Sequence, residues 1–236
     1  MLARMRSLRA GLTGLVLLAL TACGGAAPDP VDESGIDGLR IPTPSPEPGD
    51  FQARVTNPWL AWRPGARWEY STTDRDRPAT YVVTVRRERV TVAGVEATAV
   101  DGRLVLDRTG RVVEEETTYA AQDRDGNVWQ LGQDTGDADW RAGRAGARAG
   151  LLMPATPRVG DGFLTGEVGG EPVGRLTVLD LSAPVPEGAD SGAGRMLQLE
   201  RVPGEGGPEE QEYYRRGTGL VARTSAAGDL LLASRS

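Results

Sequence analysis

From residue 51 onward, apolar and polar residues alternate in short runs broken by Gly, Asp and Pro, the period-two signature of half-buried strands. In 67–73, Trp68, Tyr70 and Thr72 share one side, with Glu69 and Ser71 on the other. In 80–92, Tyr81, Val83 and Val85 share a face, and Ala93-Gly94 turns the chain into 95–100. The runs 104–107 and 111–121 flank Arg108-Thr109-Gly110, and Asp123-Arg124-Asp125-Gly126 is a turn leading into a strand at 127–131. Between 132 and 150 the period fails: Gly143, Gly146 and Gly150 interrupt an Ala/Arg run, which predicts a long loop around Trp140. Strands resume at 162–168, 174–181, 195–202, 209–216, 220–224 and 230–234. The pattern predicts an all-β fold, a single antiparallel meander of about eleven strands, with no long helix. So many strands must form a curved sheet, an open barrel or a sandwich.

The first fifty residues read differently. Arg4, Arg6 and Arg9 precede an apolar run over 12–20 that is too short for a membrane span of ~20 residues and fits a signal-peptide core. Leu20-Thr21-Ala22-Cys23 then reads as a lipobox: branched apolar, small, small, Cys. The expected organisation is a lipoprotein signal peptide at 1–22 and a Pro/Gly/acid-rich tether at 23–50, anchored through an acylated Cys23. An antiparallel β domain follows at 51–236. The expected location is the outer face of the cell membrane, held there by lipid. The alternative is an ordinary secretory signal that happens to end in Cys. As a flexible coil, the tether would span roughly 30 Å.

Composition narrows the chemistry. All 27 basic residues are Arg; Lys and His are absent, and Cys23 is the single cysteine. No Ser-His-Asp triad, His-ligated metal, Schiff-base lysine or disulfide can be assembled, so no cofactor and no metal site is expected. The net charge of −6 becomes −9 once the three signal-peptide arginines are removed (−6 − 3). An acidic chain of this kind argues against nucleic acid and against anionic lipid head groups as partners.

Several segments fall into a familiar order. They are Asn57-Pro58-Trp59, Pro64-Gly65-Ala66-Arg67-Trp68-Glu69-Tyr70, Asp125-Gly126-Asn127-Val128-Trp129, Met153-Pro154 with Val159-Gly160-Asp161, and Tyr213-Tyr214 with Gly217-Thr218-Gly219-Leu220-Val221. The series resembles a family of secreted proteins and lipoproteins of actinobacteria and related bacteria. The resemblance implies an exported protein but no activity, because the family has no assigned catalytic residues. Trp59 stands where the family more often has Tyr, and Arg215-Arg216 where its ending is usually neutral.

Three motifs invite chemistry and are better explained by structure. Asp123–Asn127 suggests a calcium loop, but an EF-hand register would put Gly132 where the closing Glu belongs. Asp134-Thr135-Gly136 spells the aspartic-protease triplet without a second copy. In Glu114-Glu115-Glu116 the outer two share a strand face with Glu115 opposite, as solvated charges do. The aromatic density is the more informative feature. Trp59, Trp62, Trp68 and Tyr70 lie within twelve residues. The alternation puts Trp68 and Tyr70 in the core. Trp59 and Trp62, outside the alternation and flanked by prolines, are the candidate ligand contacts. The leading expectation is a non-enzymatic module binding an apolar ligand such as a lipid, a glycan or an envelope protein. The alternatives are a carboxylate-dependent cell-wall hydrolase and a purely structural envelope lipoprotein.

Overall fold

The computed structural model describes residues 48–236, apart from 53, 75–76, 137 and 190–193. The signal peptide, Cys23 and the tether before residue 48 lie outside the described residues. After a 3-10 turn at Pro48–Asp50 come fourteen strands. They are β1 (Phe51–Gln52), β2 (Arg67–Asp74), β3 (Arg77–Val92), β4 (Val95–Leu106), β5 (Val112–Asp123), β6 (Val128–Asp134) and β7 (Trp140–Arg141). The second half supplies β8 (Arg148–Met153), β9 (Gly162–Val168), β10 (Glu171–Ala183), β11 (Met196–Pro203), β12 (Glu210–Arg215), β13 (Gly219–Ser225) and β14 (Leu230–Arg235).

All fourteen strands belong to one antiparallel sheet, ordered β1-β5-β4-β3-β2-β14-β13-β12-β11-β10-β9-β8-β6-β7. Because β5 also pairs with β6, the sheet closes on itself. Fourteen strands less the short β1 and β7 leave a ring of twelve, which removes the exposed edges an open sheet would carry. The two short strands fill gaps: β1 pairs with Gln122 and Asp123 of β5, beyond the reach of β4, and β7 pairs with Gly132 and Gln133 of β6, beyond β8.

The all-β antiparallel architecture follows from the alternation, and two details depart from it. Residues 95–106 form a single strand through Gly102, and the segment expected to be a loop contains β7 and the start of β8. Strand β8 does not alternate because both its faces are covered: Ala149 through Met153 are all buried. A β-carbon on Gly150 would run into the backbone of Thr165 and Gly166, so glycine there permits the close β8–β9 approach. Trp140 is buried, packed against Gly132 and Gly166.

Every strand is antiparallel to its neighbours, so the ring has two distinct ends. One end gathers the starts of β3, β5, β12 and β14 and the finishes of β2, β4, β6, β11 and β13. The segment 54–66 closes the opposite end. Asn57 anchors it: its side-chain nitrogen donates to the carbonyls of Gly126 (3.0 Å) and Pro154 (3.1 Å), while its side-chain oxygen accepts from Trp59 N (2.9 Å). Gln122 Oε1 accepts from the backbone N–H of Thr56 (2.7 Å) and Asn57 (2.8 Å), and Gly217 N donates to Pro58 O at 2.7 Å. The main apolar core lies beneath this plug and includes Trp59, Leu60, Tyr119, Trp129, Leu131, Leu151, Met153, Leu176 and Leu199.

Candidate ligand-binding site

The inner face of the ring is apolar toward the plug and ionic toward the other end. Trp68 and Tyr70 on β2, Val83 on β3, Val100 on β4, Leu152 on β8 and Leu220 on β13 wall an internal cavity of about 120 Å³. The Trp68 indole N–H donates to Thr218 O (2.8 Å) and the Tyr70 hydroxyl to Leu220 O (3.0 Å), so the two large aromatics bury without leaving a polar atom unpaired. Both are 2% exposed. In β13, a bulge opposite Tyr213 and Tyr214 breaks the simple alternation, and both Leu220 and Arg223 line the cavity.

Farther along the ring stands a buried ionic cluster on three neighbouring strands. Glu212 of β12 is completely buried. Its carboxylate accepts from Arg201 Nε (2.7 Å), Arg201 Nη2 (3.3 Å), Arg223 Nη2 (3.0 Å) and the Tyr214 hydroxyl (2.9 Å). Burial alone would raise its pKa, but the two guanidinium charges and these hydrogen bonds overcome that and hold it at about 2. Glu210 adds a second acid, 3.4 Å from Arg223 Nε. That nitrogen is buried and makes no hydrogen bond.

Across the lumen, Glu116 of β5 accepts from the Tyr81 hydroxyl of β3 and from Gln133 Nε2 of β6 (3.0 Å). Gly102 of β4 makes room for this pair, because a β-carbon there would collide with the Tyr81 hydroxyl. Burial first, and the Glu116 carboxylate second, push the Tyr81 phenol well above its ordinary pKa, so it stays a neutral donor. Tyr81, Gly102, Glu116 and Arg223 line both the inner cavity and a larger cavity of about 660 Å³ at the ring's second end. That mouth adds Glu114, Glu210, Thr72, Thr135 and Ser225 to apolar Leu104, Val113 and Leu230. Its volume falls within the range typical of small-molecule pockets.

The sequence-predicted residues fall as follows. Trp62 is half-buried and lines the inner cavity from the plug side. Trp59 is buried within the plug core, with the Arg216 guanidinium 4.7 Å above its ring. Cys23 lies outside the described residues. Asp123, offered by the sequence as part of a metal-like loop, instead accepts from Asn127 N (2.8 Å), Asn127 Nδ2 (3.0 Å) and Trp129 Nε1 (2.7 Å). Among the described residues, no group of three or more acidic, His or Cys side chains is placed to hold a metal ion. Asp134 of the protease-like triplet accepts from Arg141 Nη1 (2.5 Å), Arg141 Nη2 (2.8 Å) and the Tyr119 hydroxyl (2.8 Å). Arg141 lies over the Tyr119 ring at 3.8 Å, so this cluster ties β7 to the barrel wall.

Sequence reasoning missed the Arg201–Glu212–Arg223 cluster. The signal was faint: three charged residues on three successive strands, each with an apolar or aromatic residue on one side (Val202, Tyr213, Ala222) and a polar or charged one on the other (Glu200, Gln211, Thr224).

A closed antiparallel barrel, plugged at one end and opening at the other through an ionic mouth above an apolar pocket, is the class that fold and site define. No family model matches the chain, and no curated protein matches it. It is similar to the crystal structure of an exported protein with a YmcC-like fold from Bacteroides fragilis, with a TM-score of 0.42 and 11% sequence identity. The match covers 79% of this chain and 99% of that one.

Proposed function

We propose that this protein is a lipid-anchored extracytoplasmic lipoprotein whose barrel is a non-enzymatic binding module for an amphiphile. The apolar end of the ligand enters the pocket walled by Trp68, Tyr70, Val83, Val100 and Leu220, and its polar head stays in the mouth. The supporting observation is the adjacency of the two cavities: Tyr81, Gly102, Glu116 and Arg223 line both, so a ligand in the mouth touches the same side chains that bound the apolar pocket. The inner cavity accommodates a short apolar group, and the mouth takes the bulk of the molecule. Glu114, Glu116 and Glu210 present acceptors there, which favours a head rich in hydrogen-bond donors, such as a hydroxylated or amine-bearing group. A glycan moiety on a lipid satisfies this description.

The carboxylate-hydrolase alternative needs a carboxyl that exchanges a proton near neutral pH. Glu212, held at about 2 and occupied by Arg201, Arg223 and Tyr214, does not supply it.

The test is titration of the mature chain with a fluorescent amphiphile whose emission rises in apolar surroundings. Val100→Trp, which fills the inner cavity, should weaken binding at least tenfold while the β circular-dichroism spectrum persists. Equal binding by the two chains would exclude the cavity as the site. The anchor is tested separately: labelled fatty acid should enter the wild type and not Cys23→Ala.

A further inference from the structure

The plugged end of the barrel carries a second cavity, of about 420 Å³, with a charge pattern opposite to that of the mouth. Arg54, Arg63 and Arg89 line it together with Thr56, Thr98, Val55, Leu60, Pro64 and Trp62, among others, and no acid lines it. Arg54 and Arg63 are exposed and Arg89 half-buried. None of the three side chains forms an ion pair or hydrogen bond with a described residue, whereas those of Arg67, Arg86, Arg103, Arg141, Arg201 and Arg223 each hold a carboxylate. Three unpaired arginines lining one acid-free pocket form a site for an anion. The neighbouring acids, Glu88 beside Arg89 and Glu96 two residues before Thr98, stay outside the pocket lining, and Glu96 accepts from the Thr91 hydroxyl at 2.9 Å.

We propose that this end is a docking surface for anionic phospholipid head groups, with Arg54, Arg63 and Arg89 taking the phosphates and Trp62 beside them at the interface. Two observations select a membrane over other anions. The chain enters the barrel here, since Phe51 of β1 pairs with Asp123 at the plug end of β5. Only the 27 residues 24–50 separate Cys23 from Phe51, so an anchor at Cys23 joins the barrel at this end. The pocket also combines arginine with indole and other apolar groups, the mixture that interfacial segments use. The acidic mouth does not oppose docking. Strands the length of β2, tilted as barrel strands are, place it roughly 20 Å away, more than two Debye lengths at physiological salt. The mouth then faces away from the bilayer, open to its ligand. This orientation rests on the lipid anchor proposed above; the binding itself does not.

The experiment uses the full mature chain carrying Cys23→Ser, so that no acyl group contributes. Sedimentation with vesicles of equal phosphatidylglycerol and phosphatidylcholine should recover the protein, and pure phosphatidylcholine vesicles should not. Each basic residue near an anionic surface is worth about fivefold in affinity. The triple variant Arg54→Gln/Arg63→Gln/Arg89→Gln should therefore lose on the order of 100-fold, and the exposed Arg63→Gln alone about fivefold. No recovery by anionic vesicles, or equal recovery of wild type and Arg63→Gln, overturns the proposal. Calorimetric binding of inorganic phosphate without vesicle binding also overturns it, assigning the pocket to a free anion. If the acylatable chain takes up no labelled fatty acid while the Cys23→Ser chain still binds vesicles, the anchor fails and the docking surface stands.

Discussion

The two ends of the barrel solve opposite problems with the same few residue types. At the plug, apolar rings turn inward: Trp59 and Leu60 are buried in the core, Trp68 seals the wall, and arginines 54 and 63 are left in solvent. At the mouth the charges turn inward instead, with Glu212, Arg201 and Arg223 inside the ring and Glu116 facing them. Burying charge is costly unless every partner is in place. For Glu212 the partners are in place, since four hydrogen bonds converge on it from two arginines and a tyrosine, while Arg223 Nε has only the Glu210 carboxylate at 3.4 Å. The plug is a stability device, because apolar burial needs no such matching. The inward ionic ring is hard to explain by stability alone, since an apolar core of equal volume is commonly as stable or more so. Its presence at an open end is what directs attention to ligand binding there.

Breaking either end should be expensive, for different reasons. Trp68→Ala removes a 2%-exposed indole and its bond to Thr218, and should cost ~3–5 kcal/mol in denaturant unfolding. Glu212→Ala should cost a similar ~3–5 kcal/mol by leaving Arg201 and Arg223 buried without their shared counter-charge. The ends separate in the rescue. Replacing Arg201, Glu212 and Arg223 together by Met, Leu and Met should restore stability to within about 1 kcal/mol of wild type. No replacement at Trp68 smaller than an aromatic should do so. Failure of the triple variant to recover would mean the ionic ring stabilises the barrel on its own account.

Acid sharpens the same contrast. The pKa of Glu212 in the folded protein, about 2, lies below that of an unfolded glutamate, near 4.3. The unfolded chain therefore binds the proton first as pH falls. The stabilisation from this group is complete above about pH 5.5 and is lost as pH drops from there toward 2. The depression amounts to about 3 kcal/mol. The plug carries no comparable titrating group in its core, so acid should loosen the mouth first. Hydrogen exchange between pH 4.5 and 2.5 should show β11–β13 amides losing protection before those of β6 and β8. Simultaneous loss at both ends, or an unchanged acid slope in Glu212→Gln, would remove Glu212 as the cause.

How much of this was legible in the sequence depends on which face of a strand is asked about. Alternation identified Trp68 and Tyr70 as core, because a half-buried strand writes its buried face in the sequence directly. It failed for β8, where five successive residues are buried and nothing alternates. Closure of the ring was not legible, because it depends on the pairing of β2 with β14, the first long strand with the last, which leaves no local trace in either strand. The ionic cluster was hidden for a related reason. Arg201, Glu212 and Arg223 are adjacent only once β11, β12 and β13 are in register, and a charged residue in a strand reads locally as solvent-facing.

The triplet Glu114-Glu115-Glu116 gives the finest form of the comparison, because neighbouring positions of one strand face opposite environments. Glu115 points outward and pairs with Arg103 at 2.7 Å, with more than half of each side chain in solvent. Exposed pairs of this kind contribute little, so Glu115→Ala should change stability by about 0.5 kcal/mol or less. Glu116, one residue on, is half-buried and is the acceptor for both Tyr81 and Gln133 inside the ring. Glu116→Ala leaves a phenol and an amide without their acceptor in a lumen where Gly102 has been kept free of a side chain to admit them. It should cost ~1–3 kcal/mol. Glu116→Gln keeps an acceptor oxygen and should recover about half of that loss. The difference between the two alanine variants thus measures what it means for a carboxylate to face the lumen rather than the solvent. Equal unfolding midpoints for Glu115→Ala and Glu116→Ala would show that the mouth is as open to water as the outer wall, and the distinction between inner and outer faces would fail at that end.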